Sequence, residues 1–388
     1  MSLADKPAPS RRGAIPPFFV MEVMRATAER EAAGAEVLHL EVGQPSTAAP
    51  AGARAAAKRA IDDDVLGYST ALGIEPLRHR IADHYRDWYD SPVDPARVAV
   101  TMGASGACVL AFLACFDSGD RVAVLSPGYP CYRNMLQAFD VEVVDVPVDS
   151  STRFQPTPEL LEAHLPLDGL VVASPSNPTG TMIGPDEMDA LLAWCSANAV
   201  RLVSDEIYHG ICFDRPGVTA WRPDGDAVVV NSFSKYFSMT GWRLGWLLTP
   251  ASLADPVERL AQNLFISAPS VSQWAGLAAF DCVDELEANV GRYRTNREIL
   301  LEGLPVAGLD RLAPADGAFY VWAATDHLAD DSQALCARWL SELGIAATPG
   351  VDFDPTRGHG FVRFSFAGSS EDITEAVERL ADWTAARR

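Results

Sequence analysis

No run of about 18 apolar residues occurs anywhere in the chain, so no membrane-spanning helix is expected. The sequence also lacks a C-x-x-C pair, any zinc-type Cys/His spacing and any H-E-x-x-H, which argues against a bound metal. Its seven cysteines (Cys108, Cys115, Cys131, Cys195, Cys212, Cys282 and Cys336) are scattered and odd in number. Most sit among apolar residues and read as small buried hydrophobes in a reducing compartment, so a cytoplasmic protein is expected. Residues 1–12 are polar and contain proline, without the apolar stretch of a signal peptide. Positive charge is scarce: 31 Lys and Arg face 52 Asp and Glu, a formal charge of 31 − 52 = −21. Such a chain repels nucleic-acid phosphates, and its acidity serves solubility instead. No internal repeat is visible.

What is present is a sizeable core. The chain has 388 residues, 48% of them hydrophobic, which suits two domains, or one large domain with an appendage. Helical periodicity covers residues 18–31, 49–62 and 75–88, and a short apolar strand is expected at 37–42. From residue 97 the pattern changes to β-branched runs at 97–103, 121–126, 141–148, 169–174, 200–205, 227–232 and 244–249. Helices are expected between several of them, at 104–116 and 185–198. Several runs are continuously apolar, as strands covered on both faces should be. Strand–helix alternation argues for a mostly parallel sheet in an α/β architecture. A long helical region, about 254–304, leads to strands at 318–323, 345–348 and 361–366 and helices at 332–343 and 370–386. The division expected is residues 1–44 as an arm and part of a small domain, 45–290 as a large domain, and 291–388 as the small α+β domain.

The most informative segment is Asn231-Ser232-Phe233-Ser234-Lys235, followed by Met239-Thr240-Gly241-Trp242-Arg243-Leu244-Gly245-Trp246. An amine that forms an imine with an aldehyde, beside hydroxyls and a cation that hold a phosphate, needs this chemistry, and pyridoxal phosphate is such an aldehyde. Thr101-Met102-Gly103-Ala104-Ser105-Gly106-Ala107 closes a strand and opens a helix, which suits an anion at exposed N–H groups or simply close strand–helix packing. Ser126-Pro127-Gly128-Tyr129-Pro130 is a stiff loop whose Tyr129 either stacks on a planar ring or packs on its own turn. Ser174-Pro175-Ser176-Asn177-Pro178-Thr179-Gly180 holds Asn177 as a donor for a phenolate oxygen or as a cap. In Ser204-Asp205-Glu206-Ile207-Tyr208, Asp205 lies amid apolar residues. A buried carboxylate needs a partner, and a protonated pyridine nitrogen would serve; the alternative is a turn cap. Tyr208 suits the same ring oxygen as Asn177. Arg363, between Val362 and Phe364, offers a fork for an amino acid's carboxylate or for an internal salt bridge.

The order Gly43, Tyr68, Ala104–Ala107, Tyr129, Asn177, Asp205, Tyr208, Ser232, Ser234, Lys235, Arg243, Arg363 resembles the class I/II aminotransferases, the fold type I pyridoxal-phosphate enzymes. The motifs S-x-S-K-x-x-x-M-x-G-W-R-x-G-W, S-P-S-N-P-T-G and D-E-x-Y occur in register, and the resemblance runs from about residue 15 to the end. It implies a three-layer large domain with a seven-stranded, mostly parallel sheet, and a small domain built from both chain ends. It implies pyridoxal 5'-phosphate held as an internal aldimine on Lys235, which also shuttles the proton. Asp205 would pair with the pyridine nitrogen, Asn177 and Tyr208 with the phenolic oxygen, and Tyr129 would stack. Ala104, Ser105, Ser232 and Arg243 would bind the phosphate, helped by Ser234. Tyr68 would reach the neighbouring subunit's phosphate, which implies a homodimer with shared sites. Gly43 and Arg363, with Asn177, would receive the substrate carboxylate. The reaction implied is ping-pong transfer from an L-amino acid to a 2-oxoacid.

Two regions depart from the family. In Thr348-Pro349-Gly350-Val351-Asp352-Phe353-Asp354, Asp354 stands where relatives often have glycine. No second arginine is evident for a side-chain carboxylate, and Pro16-Pro17-Phe18-Phe19 suggests an apolar wall, which favours a neutral or aromatic donor. One rival is a carbon–sulfur β-lyase or an aminocyclopropane-carboxylate-synthase-like lyase on the same cofactor residues. Another, a transcription regulator's sensor domain, needs a basic DNA-binding domain ahead of the fold, and only about fifteen residues precede the resemblance.

Overall fold

The computed structural model describes residues 9–387; the first eight residues of the expected arm lie outside them. Helix α1 (Phe19–Ala32), strand β1 (Leu38–His39) and helices α2 (Ala51–Asp63) and α3 (Glu75–Tyr89) come first. The central strands are β2 (Val98–Thr101), β3 (Arg121–Ser126), β4 (Glu142–Pro147), β5 (Gly169–Ala173), β6 (Arg201–Asp205), β7 (Val228–Ser232) and β8 (Gly245–Leu248). Helices α4 (Gly103–Cys115), α5 (Pro130–Ala138), α6 (Pro158–Glu162) and α7 (Pro185–Ala197) fall between them. After them come α8 (Ala251–Leu264), α9 (Ser270–Ala279) and α10 (Val283–Val306). The C-terminal part holds β9 (Tyr320–Ala324), α11 (Ser332–Leu343), β10 (Ile345–Ala346), β11 (Thr348–Pro349), β12 (Phe361–Ser365) and α12 (Ser370–Ala385).

Seven strands form one sheet in the order β2-β8-β7-β6-β5-β3-β4. Only β8 is reversed, running antiparallel to both β2 and β7; the other pairs are parallel. This is the α/β sheet that the alternation predicts. Strands β2, β5, β7 and β8 are buried along their whole length, which explains their continuous apolar runs. Edge strand β4 carries exposed Glu142 and Asp145, charges that discourage pairing with another chain. A three-stranded antiparallel sheet, β11-β12-β9, and a parallel pair, β1-β10, make up the rest.

Three expectations change. The long helical region is three helices, because Ile266 adopts a left-handed φ of +67° and Pro269 follows it. A second break separates α9 from α10 at Phe280–Cys282. The strand expected at 37–42 shrinks to Leu38–His39, which pairs with the short stretch at Gly344–Ala346, while the Leu40 carbonyl already turns to the Ser365 N–H at 2.7 Å. Helices α5 and α6 were not anticipated: each begins with proline at its first position, which punctuates the sequence like a loop.

Parallel strands place their C-terminal ends on one edge, and the loops leaving that edge carry ligands in such sheets. Here those ends are Ser126, Ala173, Asp205 and Ser232. Beneath the last of them, Phe233 packs on Phe237 at 4.8 Å and on Trp246 at 5.1 Å, anchoring the turn before Lys235. The loop after β5 closes on Gly180, whose φ is +69°. A β-carbon there would lie 2.9 Å from Ala315 Cα and 2.9 Å from the Gly317 carbonyl oxygen, both backbone atoms. Gly180→Ala is expected to cost about 2–4 kcal/mol, combining left-handed strain with overpacking. The urea-unfolding midpoint measures it, and an unchanged midpoint would contradict this packing.

Candidate active site

A cavity of about 360 Å³ opens at the C-terminal edge of the sheet. Its lining includes Gly43, Ala104, Ser105, Tyr129, Asn177, Asp205, Tyr208, Ser234, Lys235, Arg243 and Arg363, eleven of the expected site residues. Ser232 lies just behind: its hydroxyl oxygen accepts the Ser234 N–H at 3.0 Å and sits 2.8 Å from Ser234 Oγ. Tyr68 is the exception. It is 83% exposed and takes no part in this cavity.

Lys235 leaves the turn after β7 and opens onto the cavity, where its Nζ donates to the Gly43 carbonyl at 2.5 Å. Gly43 leaves room for the Tyr320 hydroxyl, which a β-carbon there would displace. Poor hydration lowers the Lys235 ammonium to about 8, with Arg363 pushing the same way and Asp205 opposing. An appreciable fraction of the amine is therefore unprotonated near neutral pH.

Asp205 ends β6 and is 4% exposed. Its Oδ2 accepts from Tyr132 Oη at 2.5 Å and its Oδ1 from the Ile207 N–H at 3.0 Å. Burial raises this carboxyl to about 6, against those two donors and Lys235. Its neighbour Glu206, just past the strand, is also buried; the Thr219 hydroxyl and the Ala220 N–H donate to its Oε1, while its Oε2 has no hydrogen-bond partner among the described residues.

Two cations flank these groups. Arg363, in mid-β12, donates to Asn177 Oδ1 at 2.9 Å, to the Glu41 carbonyl at 2.5 Å and to Thr348 Oγ1 at 3.1 Å. All three partners are neutral, and its buried Nε has no partner among the described residues. The internal salt bridge considered from sequence is not formed among the described residues, and a buried guanidinium of this kind calls for an anion from outside. Arg243, at a left-handed φ of +52°, faces the start of α4; a β-carbon on Gly103 would lie 2.6 Å from its Nη2. Gly103 therefore lets the guanidinium approach the free N–H groups at Ala104 and Ser105, making an anion cradle.

Sequence reasoning missed several lining residues. Tyr132 follows Tyr129 by three positions, one turn into α5, and the helix was not foreseen. Tyr320 Oη lies 2.6 Å from Tyr208 Oη, yet nothing near it in sequence marks it. From α1 come Val20, Met21 and Met24, beside Phe18 of the apolar wall expected at 16–19. The Phe18 ring meets Tyr129 edge-on at 6.0 Å and 81°.

A poorly hydrated amine, a buried carboxylate 30 residues before it in sequence and an anion cradle together fit pyridoxal phosphate, which carries an aldehyde, a basic ring nitrogen and a phosphate. The family model for aminotransferase class I and II matches residues 35–380. The chain belongs to the class I and II aminotransferase family. It is 51% identical over 377 residues to a valine–pyruvate aminotransferase of Mycobacterium tuberculosis, covering 96% of this chain and 97% of the relative. An aspartate/prephenate aminotransferase of Thermus thermophilus is 32% identical over 375 residues, covering 95% and 96%. The crystal structure of an aminotransferase from Mycobacterium tuberculosis superposes with a TM-score of 0.96 at 49% identity, covering 98% of this chain and all of that one. This aminotransferase thus transfers amino groups between amino acids and 2-oxoacids with pyridoxal phosphate, and the lyase alternative is not favoured.

The ionised Asp205 carries a stability cost. Its folded pKa, about 6, lies above the unfolded 3.8, so its contribution is favourable below the unfolded value and is lost as pH rises through 6. At pH 8 the cost approaches about 3 kcal/mol. Asp205→Asn should therefore raise the melting temperature of the cofactor-free aminotransferase at pH 8, by an amount that shrinks towards pH 4. A gain independent of pH would show that burial of the charge is not the cause.

Proposed function

We propose that the donor of this aminotransferase is a small apolar L-amino acid, valine or a close aliphatic relative, and the acceptor pyruvate or a similar 2-oxoacid. The observation that carries the reading is the charge of the cavity lining. It holds two arginines, Arg243 beside the α4 cradle and Arg363 with only neutral partners, against apolar Phe18, Val20, Met21, Met24 and Met135. One arginine is left for one carboxylate, and a second, side-chain carboxylate would face hydrocarbon. The name of the relative at 51% identity supports the same donor and acceptor.

In this reading Arg363, with Asn177 and the space left by Gly43, orients the donor's α-carboxylate. Pyridoxal phosphate, when bound, supplies the carbonyl that takes up the amino group and a ring that withdraws electrons from the α-carbon. Lys235 would be the attachment point, and its Nζ, with the ammonium lowered to about 8, would take the proton from the donor's α-carbon and return one to the cofactor's aldehyde carbon, two bonds away across the nitrogen. Asp205 keeps a proton on the ring nitrogen, and Tyr132 and the Ile207 N–H hold that carboxylate ionised. Asn177 and Tyr208 serve the ring's phenolic oxygen, and Tyr129 covers its face. Ala104, Ser105, Ser232, Ser234 and Arg243 hold the phosphate. The donor leaves as its 2-oxoacid, and a second oxoacid carries the amino group away.

The reading includes a cytoplasmic homodimer, supported by the free state of all seven cysteines and by exposed Ile61, Val65 and Tyr68 beside one another in sequence. Tyr68 then belongs to the second copy's phosphate site. It also retains residues 1–44 and 291–388 as the small domain and 45–290 as the large one. The assigned boundary at 290 falls inside α10, which makes that helix the bridge.

The test is a visible spectrum of the loaded enzyme with one L-amino acid added at a time. Valine-like donors should shift the band to that of the pyridoxamine form, and pyruvate should restore it. A response to aspartate or glutamate alone would overturn the donor assignment. Lys235→Ala should lose turnover by at least about 10³-fold while keeping noncovalent cofactor, and retained turnover would remove Lys235 from its role.

A further inference from the structure

Asp354, the residue that departs from the family's usual glycine, is 3% exposed and fully used. Its Oδ1 accepts the N–H groups of Thr356 at 3.0 Å and Arg357 at 2.9 Å, and its Oδ2 accepts Arg357 Nε at 2.8 Å. The turn so formed, closed by the Gly358 N–H on the Asp354 carbonyl at 2.8 Å, aims Arg357 at the large sheet. There Arg357 Nη2 donates to the carbonyls of Ser126, at the end of β3, and of Val148, just past β4, the latter at 3.2 Å. Ser126 is followed by Pro127, Gly128 and Tyr129, and the Gly128 N–H donates to the Phe353 carbonyl at 3.1 Å. The turn that presents Tyr129 to the cavity is therefore tied to the loop at two backbone groups, the Ser126 carbonyl and the Gly128 N–H.

The same loop grips the opposite wall. Asp352 accepts the N–H groups of Phe19 at 3.2 Å and Val20 at 3.3 Å, the first turn of α1. A carboxylate there satisfies orphan donors and complements the helix dipole. Helix α1 and the residue before it bring Phe18, Val20, Met21 and Met24 to the cavity. Asp352, Asp354 and Arg357 do not line it themselves.

We propose that Asp352, Asp354 and Arg357 are specificity-determining positioning residues, a brace that sets the gap between the Tyr129 turn and helix α1 and so the size of donor side chain accepted. The proposal rests on the reading that the donor side chain lies against this apolar wall. Its physical basis is that charge-assisted hydrogen bonds are short and directional, whereas the Met-rich wall they position is deformable on its own. Discrimination of one methylene is worth roughly 10–200-fold, and holds only while the walls keep their spacing.

The experiment measures kcat/KM for L-alanine, L-2-aminobutyrate, L-valine and L-leucine in the wild type and in Arg357→Ala, Asp354→Gly and Asp352→Asn, with the pyridoxal phosphate dissociation constant alongside. Arg357→Lys keeps the cation without the fork and serves if Arg357→Ala does not fold. The expected result is that the ratio between the best donor and its neighbour one methylene longer collapses by about tenfold or more. Cofactor affinity should change by less than about threefold, because Lys235, Asp205 and the α4 cradle are untouched and only Tyr129 moves with its turn. Loss of equal size for every donor, or unchanged ratios, would overturn the brace and leave a purely structural loop. A wild type that uses only acidic donors would overturn the donor reading instead. The ratios over whichever donors it accepts would still decide the brace.

Discussion

Asp205 and Lys235 leave the C-terminal ends of β6 and β7, strands paired in parallel, and both are shielded from bulk water. Each is displaced from its ordinary protonation by the same cause. Burial raises the carboxyl to about 6 and lowers the amine to about 8. Their mutual attraction offsets part of this and does not cancel it. The rest of the site is organised around that unfavourable burial. Tyr132 and the Ile207 N–H hold the carboxylate, the Gly43 carbonyl holds the ammonium, and an aromatic cluster under Phe233 keeps the turn from relaxing outward. Stability given up in this way is what a site gains in reactivity.

The two cations answer a different problem. A chain with a formal charge of −21 repels anions at long range, yet every species in this reaction carries a carboxylate or a phosphate. Arg363 and Arg243 are placed where bulk repulsion matters least. Arg363 lies inside the protein among neutral partners, and Arg243 stands against a helix start whose free N–H groups add to its field. Local desolvation makes these few charges count for more than the many screened ones on the surface.

The walls of the cavity come from separate parts of the chain. Helix α1, the Tyr129 turn and the loop at 352–357 lie far apart in sequence, and the loop reaches both of the others through polar contacts. Such a joint differs from a packed core. It fixes distance with few atoms, and a small change in one loop reaches both walls at once. In the proposed reading, chemistry at the sheet edge and selection at the wall are carried by different residues.

Much of this protein was legible in its residues. Short β-branched runs marked all seven central strands, and several were continuously apolar because strands covered on both faces need hydrocarbon on both. The run from Ser232 to Trp246, the proline-stiffened turns around Tyr129 and Asn177, and Asp205 in its apolar setting marked the chemistry, because those roles need particular groups at short spacing. What stayed hidden was whatever depends on contacts between distant segments. The partners of Arg363, the Tyr132 bond to Asp205, the approach of Tyr320 to Gly43 and the grip of Asp352 on α1 are all of that kind. Local sequence determined which side chains could do the work, through periodicity and spacing. Only the folded chain decided which of them meet, because hydrogen-bond reach is about 3 Å and no local pattern encodes a contact across three hundred residues.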